Sequence, residues 1–463
     1  MKIMNRWLEG EKHKFTHASL LPPRHDPPPD RPESCLLDSK AYLASRKNAT
    51  TASCLARGGR LVQVTFFPVH PPRLSYMCVC CPGPGKSPYD EFACEPNVVA
   101  AEADLVLIRM AFGPHHNRSD ARKYDFFLYR AAAAGDEGRR PPSLTRILPS
   151  SSLPTAMPCT QEEDDIEFAI HIYSSKTATW SCKPASLVAN KQHDHDHHLH
   201  NFRSEKVITI GGEGGAVAWV DLWCGFLFLQ CHDVLKGTTS VPMLHYVQLP
   251  PHLVPACRPY DDSCMERDLA FVRGRIRFVH LQSMACPENR YMKQGWTAAT
   301  YSIAAANPWE VGWQQDGNAI YLDAKCLYAN QMLLQQLPNK MPDDSSDDGS
   351  MLEPSSSERL CSLSCPMLSL HQDDLLYVMA KVADWDWGVN YISLGLAVDL
   401  TKGTLEKVVQ VRAERALWGI LFFIAPSRIS EYLDMDPGSR GRGKRRDRRT
   451  NNSKKQHEIP MMK

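Results

Sequence analysis

From residue 60 onward, short apolar runs alternate with turn residues. Successive runs read RLVQVTFFPV, RLSYMCVCC, ADLVLIRMAF, YDFFLYRA, IEFAIHIYSS, KVITIGG, AVAWVDLW and GFLFLQC. Each spans roughly 6–10 residues and is rich in Val, Ile, Phe, Tyr and Thr, side chains that fit a pleated, half-buried surface. The spacing predicts a strand for each run. Patterns with a 3.6-residue period and helical length are scarce. Two stretches qualify: KCLYANQMLLQQL over 325–337, and RISEYLDM over 428–435, where Ser427 or Ser430 would cap a short terminal helix.

Many short strands with turns between them build a sandwich, a barrel or a propeller. At 463 residues the chain is too long for one small sandwich. In a propeller each small sheet buries a face against its neighbour and keeps its edges short. The expected fold class is therefore mainly β, a propeller-like array of small antiparallel sheets. No clean internal repeat is visible, so the blade number stays open. The 34 prolines argue against long helices. Residues 1–34 include LPPRHDPPPDRPE, have little to bury, and are expected to be disordered. Periodic structure starts near CLLDSKAYLA, which places the propeller-like domain at 35–433. Inside it, the acidic, serine-rich stretch over 339–360 reads as a disordered loop, and 434–463 as a basic disordered tail.

Charge narrows the range of partners. Lysine plus arginine (53) nearly cancels aspartate plus glutamate (52), so no global field draws the chain to nucleic acid or anionic lipid. No run approaches the ~20 apolar residues of a membrane span. The longest, ALWGILFFIAP from Ala416, is about half that, stops at Pro426, and reads as a buried strand. The N-terminus has no apolar core of signal-peptide length. The 16 cysteines are scattered rather than set in the dense framework of a small secreted domain. A soluble protein with reduced thiols, in the cytoplasm and/or nucleus, is expected.

Several stretches invite a chemical reading. KQHDHDHHLH over 191–200 carries His193, His195, His197, His198 and His200 with Asp194 and Asp196, all competent metal ligands. They lie on one continuous polar stretch with nothing apolar nearby to hold them, so the run reads as a surface loop and no metal site is assigned. Cys78, Cys80, Cys81 and Cys94 lack zinc-ribbon spacing. In a strand, Cys78 and Cys80 would face one way and Cys81 the other. Cys361 and Cys365 have no matching second pair, and buried structural thiols are expected. GPGKS over 83–87 resembles the end of a phosphate loop, but Cys80 stands where the pattern needs glycine, and no helical pattern follows Ser87. GGEGGA over 211–216 lacks dinucleotide-loop spacing and reads as a glycine hairpin between strands. No nucleophile–base set stands out. The tail concentrates Arg440, Arg442, Lys444, Arg445, Arg446, Arg448 and Arg449, a candidate nuclear-import signal or nucleic-acid contact.

In WVDLW, strand alternation would put Trp219, Asp221 and Trp223 on one face and Val220 and Leu222 on the other. The aromatics would seat one sheet on the next, with Asp221 as a turn or cross-strand hydrogen-bond partner.

Two stretches resemble a known family. LLDSKAYLASRKNATTASCLARGGRLVQVTF, with PPRLSYMCVCCPG and ADLVLIRMAF, is similar to the N-terminal half of the plant family named for domain of unknown function 1618. AWVDLWCGFLFLQCHDVL, with RDLAFVRGRIRFVHLQ, GWTAATYSI and WEVGWQQDGNAIYLDAK, resembles its defining domain, here about 219–338. The resemblance covers most of 36–433 and implies a propeller-like β-protein of the F-box-associated type. No F-box helix pattern appears in the first 45 residues, and the family brings no established catalytic residues. The resulting expectation is a non-enzymatic interaction module with no catalytic residue, cofactor or metal, binding unknown protein partners away from membranes. The alternatives are an enzyme with its site in a central channel, or nucleic-acid association through the tail.

Overall fold

The computed structural model describes residues 17–24, 28, 30–83, 87–113, 124–135, 138–148, 168–188, 199, 202–211, 215–235, 241–259, 262–285, 287, 293–336, 360–383, 391–411 and 424–433. Every one of the eight apolar runs is a strand, the first being Leu61–Phe67 and the last Gly225–Gln230. They fall in three of five sheets of four to six strands, and the five sheets are arranged as the blades of a five-bladed propeller.

Four blades are consecutive in sequence. Blade 2 is the meander Asn97–Glu102, Leu105–Ala111, Tyr124–Arg130 and Ser143–Ile147. Blade 3 runs outward from Lys206–Ile210 through Ala216–Asp221, Gly225–Gln230 and Met243–Gln248. It is then extended by the earlier hairpin Phe168–Ser174/Thr179–Leu187. Blade 4 comprises Arg267–Val272, Arg275–Ala285 and Lys293–Ala304, with Gln314–Gln315 and Ile320–Asp323 both on the last of these. Blade 5 is Leu360–Leu368, Leu375–Ala383, Tyr391–Asp399 and Thr404–Val411. Blade 1 is shared by the two ends of the chain. Ile424–Ser427 pairs antiparallel with Cys35–Asp38, which lies beside Leu74–Cys80, Leu61–Phe67 and Ala52–Leu55. The apolar run from Ala416 thus ends in the strand that closes the ring, and residues 416–423 lie outside the described residues.

Blades stack through their apolar faces. Val62, Phe66 and Met77 of blade 1 meet Ile108, Phe127 and Tyr129 of blade 2. Phe226 and Phe228 of blade 3 meet Ile276, Phe278 and Ile303 of blade 4. Trp296 and Leu322 join blade 4 to Val378 and Leu394 of blade 5. Leu36 of blade 1 packs on Met367, Tyr377 and Ala397 of blade 5. Among the described residues, no such apolar cluster joins blades 2 and 3.

Several local expectations are refined. The 325–337 stretch holds two short helices, Ala324–Tyr328 and Gln331–Leu334, capped by the side chains of Asp323 and Asn330. The terminal helix is a single 3₁₀ turn, Ile429–Tyr432. The Ser427 hydroxyl accepts the Ile429 N–H at 3.2 Å, but Arg428 holds the N-cap position. One helical turn, Pro88–Glu91, does follow Ser87, because Ser87 and Asp90 exchange hydrogen bonds around its start. A single turn is far shorter than the helix that a phosphate loop opens, and Cys80 still stands in place of the required glycine. The glycine hairpin stands, with Ile210 opposite Ala216 and Gly211 at φ +78°. Part of the proline-rich N-terminal segment is packed on the ring. Ser19 is fully buried, and the Pro23 carbonyl accepts from Tyr76 Oη at 2.7 Å and Arg46 Nη1 at 2.6 Å. Proline cannot join a ladder, but its carbonyl still accepts.

Candidate functional site: the central channel

The first strand of each of blades 2 to 5 and the closing strand of blade 1 line one cavity of about 460 Å³, the central channel of the ring. Its wall carries Glu102, Glu205, Lys206, Arg267, Asp268 and Arg428.

Strand alternation decides where these side chains go. In Arg267–Val272, residues 267, 269 and 271 turn toward blade 3, and 268, 270 and 272 toward blade 5. Asp268 binds Lys206 Nζ of blade 3 at 2.5 Å, and its other oxygen accepts the Leu368 N–H of blade 5 at 3.0 Å. One carboxylate thus ties three blades. Arg267 donates to the carbonyls of Leu222 (3.2 Å) and Leu253 (2.8 Å), and its guanidinium lies 4.3 Å over the Trp223 ring. Burial lowers its pKa to about 10. Burial, and then the Arg267 charge, lower the pKa of its cross-strand neighbour His280 to about 4. Glu266 lies 4.0 Å from the His280 ring, with its side chain less than half exposed.

A second knot lies beside the first. Asp221 has no solvent exposure, and Arg258 binds it at 2.6 Å while reaching Glu205 at 2.9 Å. Glu205 also takes the Ser263 hydroxyl. Asp221 accepts the backbone N–H of Arg203 at 2.7 Å and of Trp223 at 3.0 Å. The Trp223 bond bends the chain, so WVDLW is not one continuous strand. The strand ends at Asp221, and a turn carries Leu222, Trp223 and Cys224. Trp219 packs on the outer part of its own blade, against Ala185 and Leu229. Trp223 instead supports Arg267 of blade 4, so only one of the two tryptophans spans a blade junction.

The wall also has soft and apolar parts. Cys264 and Cys365 both line the channel. Cys365 Sγ lies 3.7 Å from Met265 Sδ, although the residues are a hundred positions apart. Val99 (47% exposed), Val207 (47%) and Tyr432 (38%) are exposed large apolar side chains, and all three line this cavity.

The remaining sequence features fall elsewhere. Cys78 packs with Tyr42 and Tyr76 on one face of its strand and Cys81 against the opposite core, as alternation requires. The His193–His198 run, His200, the 339–359 stretch and Arg440 to Arg449 lie outside the described residues. Sequence reasoning missed Glu205, Arg258, Arg267 and Asp268. Each looks like ordinary surface charge in the linear string, and only strand order brings them to one axis.

No curated protein matches the chain. Among solved structures, the chain is similar to a B. megaterium levansucrase mutant at 8% identity. The alignment covers 89% of this chain and 94% of that one at a TM-score of 0.22, a superposition too poor to say anything of activity. A family model matches from Trp219, inside blade 3, to Tyr377, inside blade 5. It therefore takes in all of blade 4 and cuts two others. The model that matches residues 219–377 is that of the family described as protein of unknown function (DUF1618).

Proposed function

We propose that the protein is a non-catalytic interaction module that receives an apolar segment of a protein partner at the mouth of its central channel. The observation that carries this reading is the division of labour in the channel wall. Glu205 is held by Arg258 and Ser263, Lys206 by Asp268, and Arg267, Asp268 and Arg428 engage backbone groups, so five of the six charged wall residues are committed to their own surroundings. A general acid or base needs a proton-accepting atom aimed at substrate rather than committed to its own wall. The apolar side chains Val99, Val207 and Tyr432 face the open space instead. Exposed apolar surface gathered in a concave site marks a protein contact more readily than a surface scatter does.

The test is site-specific photo-crosslinking in cells. A crosslinking residue at Val207 is expected to capture a defined protein, and Val99→Asp in the same chain should abolish the adduct. The same crosslinker at Leu55, exposed on the outermost strand of blade 1, should not give it. Equal capture from Val207 and Leu55, or an adduct that survives Val99→Asp, rules out the channel mouth as the docking point.

A further inference from the structure

We propose that Cys264, Met265 and Cys365 form an all-sulfur site for copper(I) in the channel wall between blades 4 and 5. The two segments reach it by different routes. Ser263–Met265 is a single 3₁₀ turn leading into the first strand of blade 4, and it packs on the first strand of blade 5. In that blade 5 strand, the ladder slips between Ser364 and Met367, and Cys365 takes a left-handed backbone with φ +52°. A bulge of this kind re-aims one side chain out of the pleat. Here it sets Cys365 Sγ 3.7 Å from Met265 Sδ. Metal–sulfur bonds of roughly 2.3 Å place two ligands of one trigonal ion roughly 4 Å apart. Cys264 is the chain neighbour of Met265 and lines the same cavity as Cys365.

The donor set selects the ion. Thiolate and thioether sulfur favour copper(I), whereas imidazole and carboxylate suit zinc or harder ions. Among the described residues, no group of three or more His, Cys, Asp and Glu side chains could hold a metal. A zinc site is therefore short of ligands, while copper(I) is served by two or three sulfurs.

Burial pushes both thiols up, Cys365 to about 11 despite Lys381 nearby. The Cys264 thiol is raised further by Cys365 itself and by Asp262 and Glu205. A coordinating metal deprotonates a thiol outright. On binding, each cysteine releases its proton to solvent, and copper keeps its oxidation state. The proposal does not depend on a partner docking at the channel mouth.

The test uses the reduced full-length chain with exposed Cys182, Cys257 and Cys326 replaced by serine. Copper(I) alone is titrated without oxygen against a chromophoric chelator. The parent is expected to bind one more equivalent than Cys264→Ser/Cys365→Ser. Met265→Leu should keep the equivalent but weaken it by at least about tenfold, since even outer-sphere changes at metal sites cost that much. X-ray absorption of the parent loaded with one equivalent should show a sulfur-only shell. Equal stoichiometry in parent and double variant, or nitrogen or oxygen in that shell, overturns the site. Should the double variant fail to fold, Met265→Leu decides: an affinity unchanged from the parent overturns the site.

Discussion

Asp221 shows how much one buried carboxylate can organise. It accepts two backbone N–H groups and one arginine while having no contact with solvent. Such a charge is tolerated only because its oxygens are fully engaged, and removing it leaves Arg258 and two amide donors short of an acceptor. Asp221→Ala is expected to lower the unfolding free energy by about 3 kcal/mol in urea titration, with an unchanged slope. A loss under about 1 kcal/mol would mean that water replaces the carboxylate. The hydrogen-bonding role of Asp221 was legible in WVDLW, because an aspartate between two tryptophans has to be satisfied somewhere. Its arginine partner was not, since Arg258 lies beyond two further strands, Gly225–Gln230 and Met243–Gln248.

Blades 3 and 4 repeat a device that sequence comparison of the blades does not reveal. Gly225 opens the third strand of blade 3 and faces Gln248. A Cβ there would stand 2.4 Å from the Val247 carbonyl oxygen and 2.8 Å from Tyr246 Oη. Gly295 occupies the third strand of blade 4 and faces Asp323. A Cβ there would meet the Leu322 carbonyl oxygen at 2.5 Å and Tyr321 Oη at 2.7 Å. In both blades the tyrosine lies two residues before the glycine's partner, so its ring covers the bare backbone. Gly225→Ala should therefore cost about 1–3 kcal/mol by overpacking. In the variant Tyr246→Ala, which empties the space, the same alanine should cost less. A double-mutant cycle measured by denaturant unfolding reads the coupling directly. The strands themselves were plain in the sequence, because period-two alternation and β-branched residues are local signals. The repeat was not, because two glycines and two tyrosines are too little similarity to detect without the register.

At the scale of the molecule, the ring is held unevenly. Apolar clusters join blades 1 and 2, 3 and 4, 4 and 5, and 5 and 1, whereas none joins 2 and 3 among the described residues. There the Trp180 Nε1–H donates to the Leu148 carbonyl at 2.7 Å, from the outer hairpin of blade 3 to the end of blade 2. Junctions with little buried apolar area open at low free energy. Hydrogen exchange should therefore protect Asn97–Glu102 and Lys206–Ile210, which flank this seam, less than Arg267–Val272 and Leu375–Ala383. Equal protection of all four strands would show that the ring opens only as a whole.

The sequence by itself determined the elements and the class of fold. Alternation, β-branched residues and turn glycines act within a few residues of one another, and they specified small antiparallel sheets and placed Cys78 and Cys81 on opposite faces. Tertiary structure alone decided the number of blades, the closure of the ring by Ile424–Ser427 on Cys35–Asp38, and the channel itself. The channel is built from one strand of each blade, so its residues are separated by tens to hundreds of positions. Asp268 meets Leu368, and Met265 meets Cys365, only after the blades have stacked. No local pattern records such meetings, because what fixes them is the order in which whole sheets bury their faces.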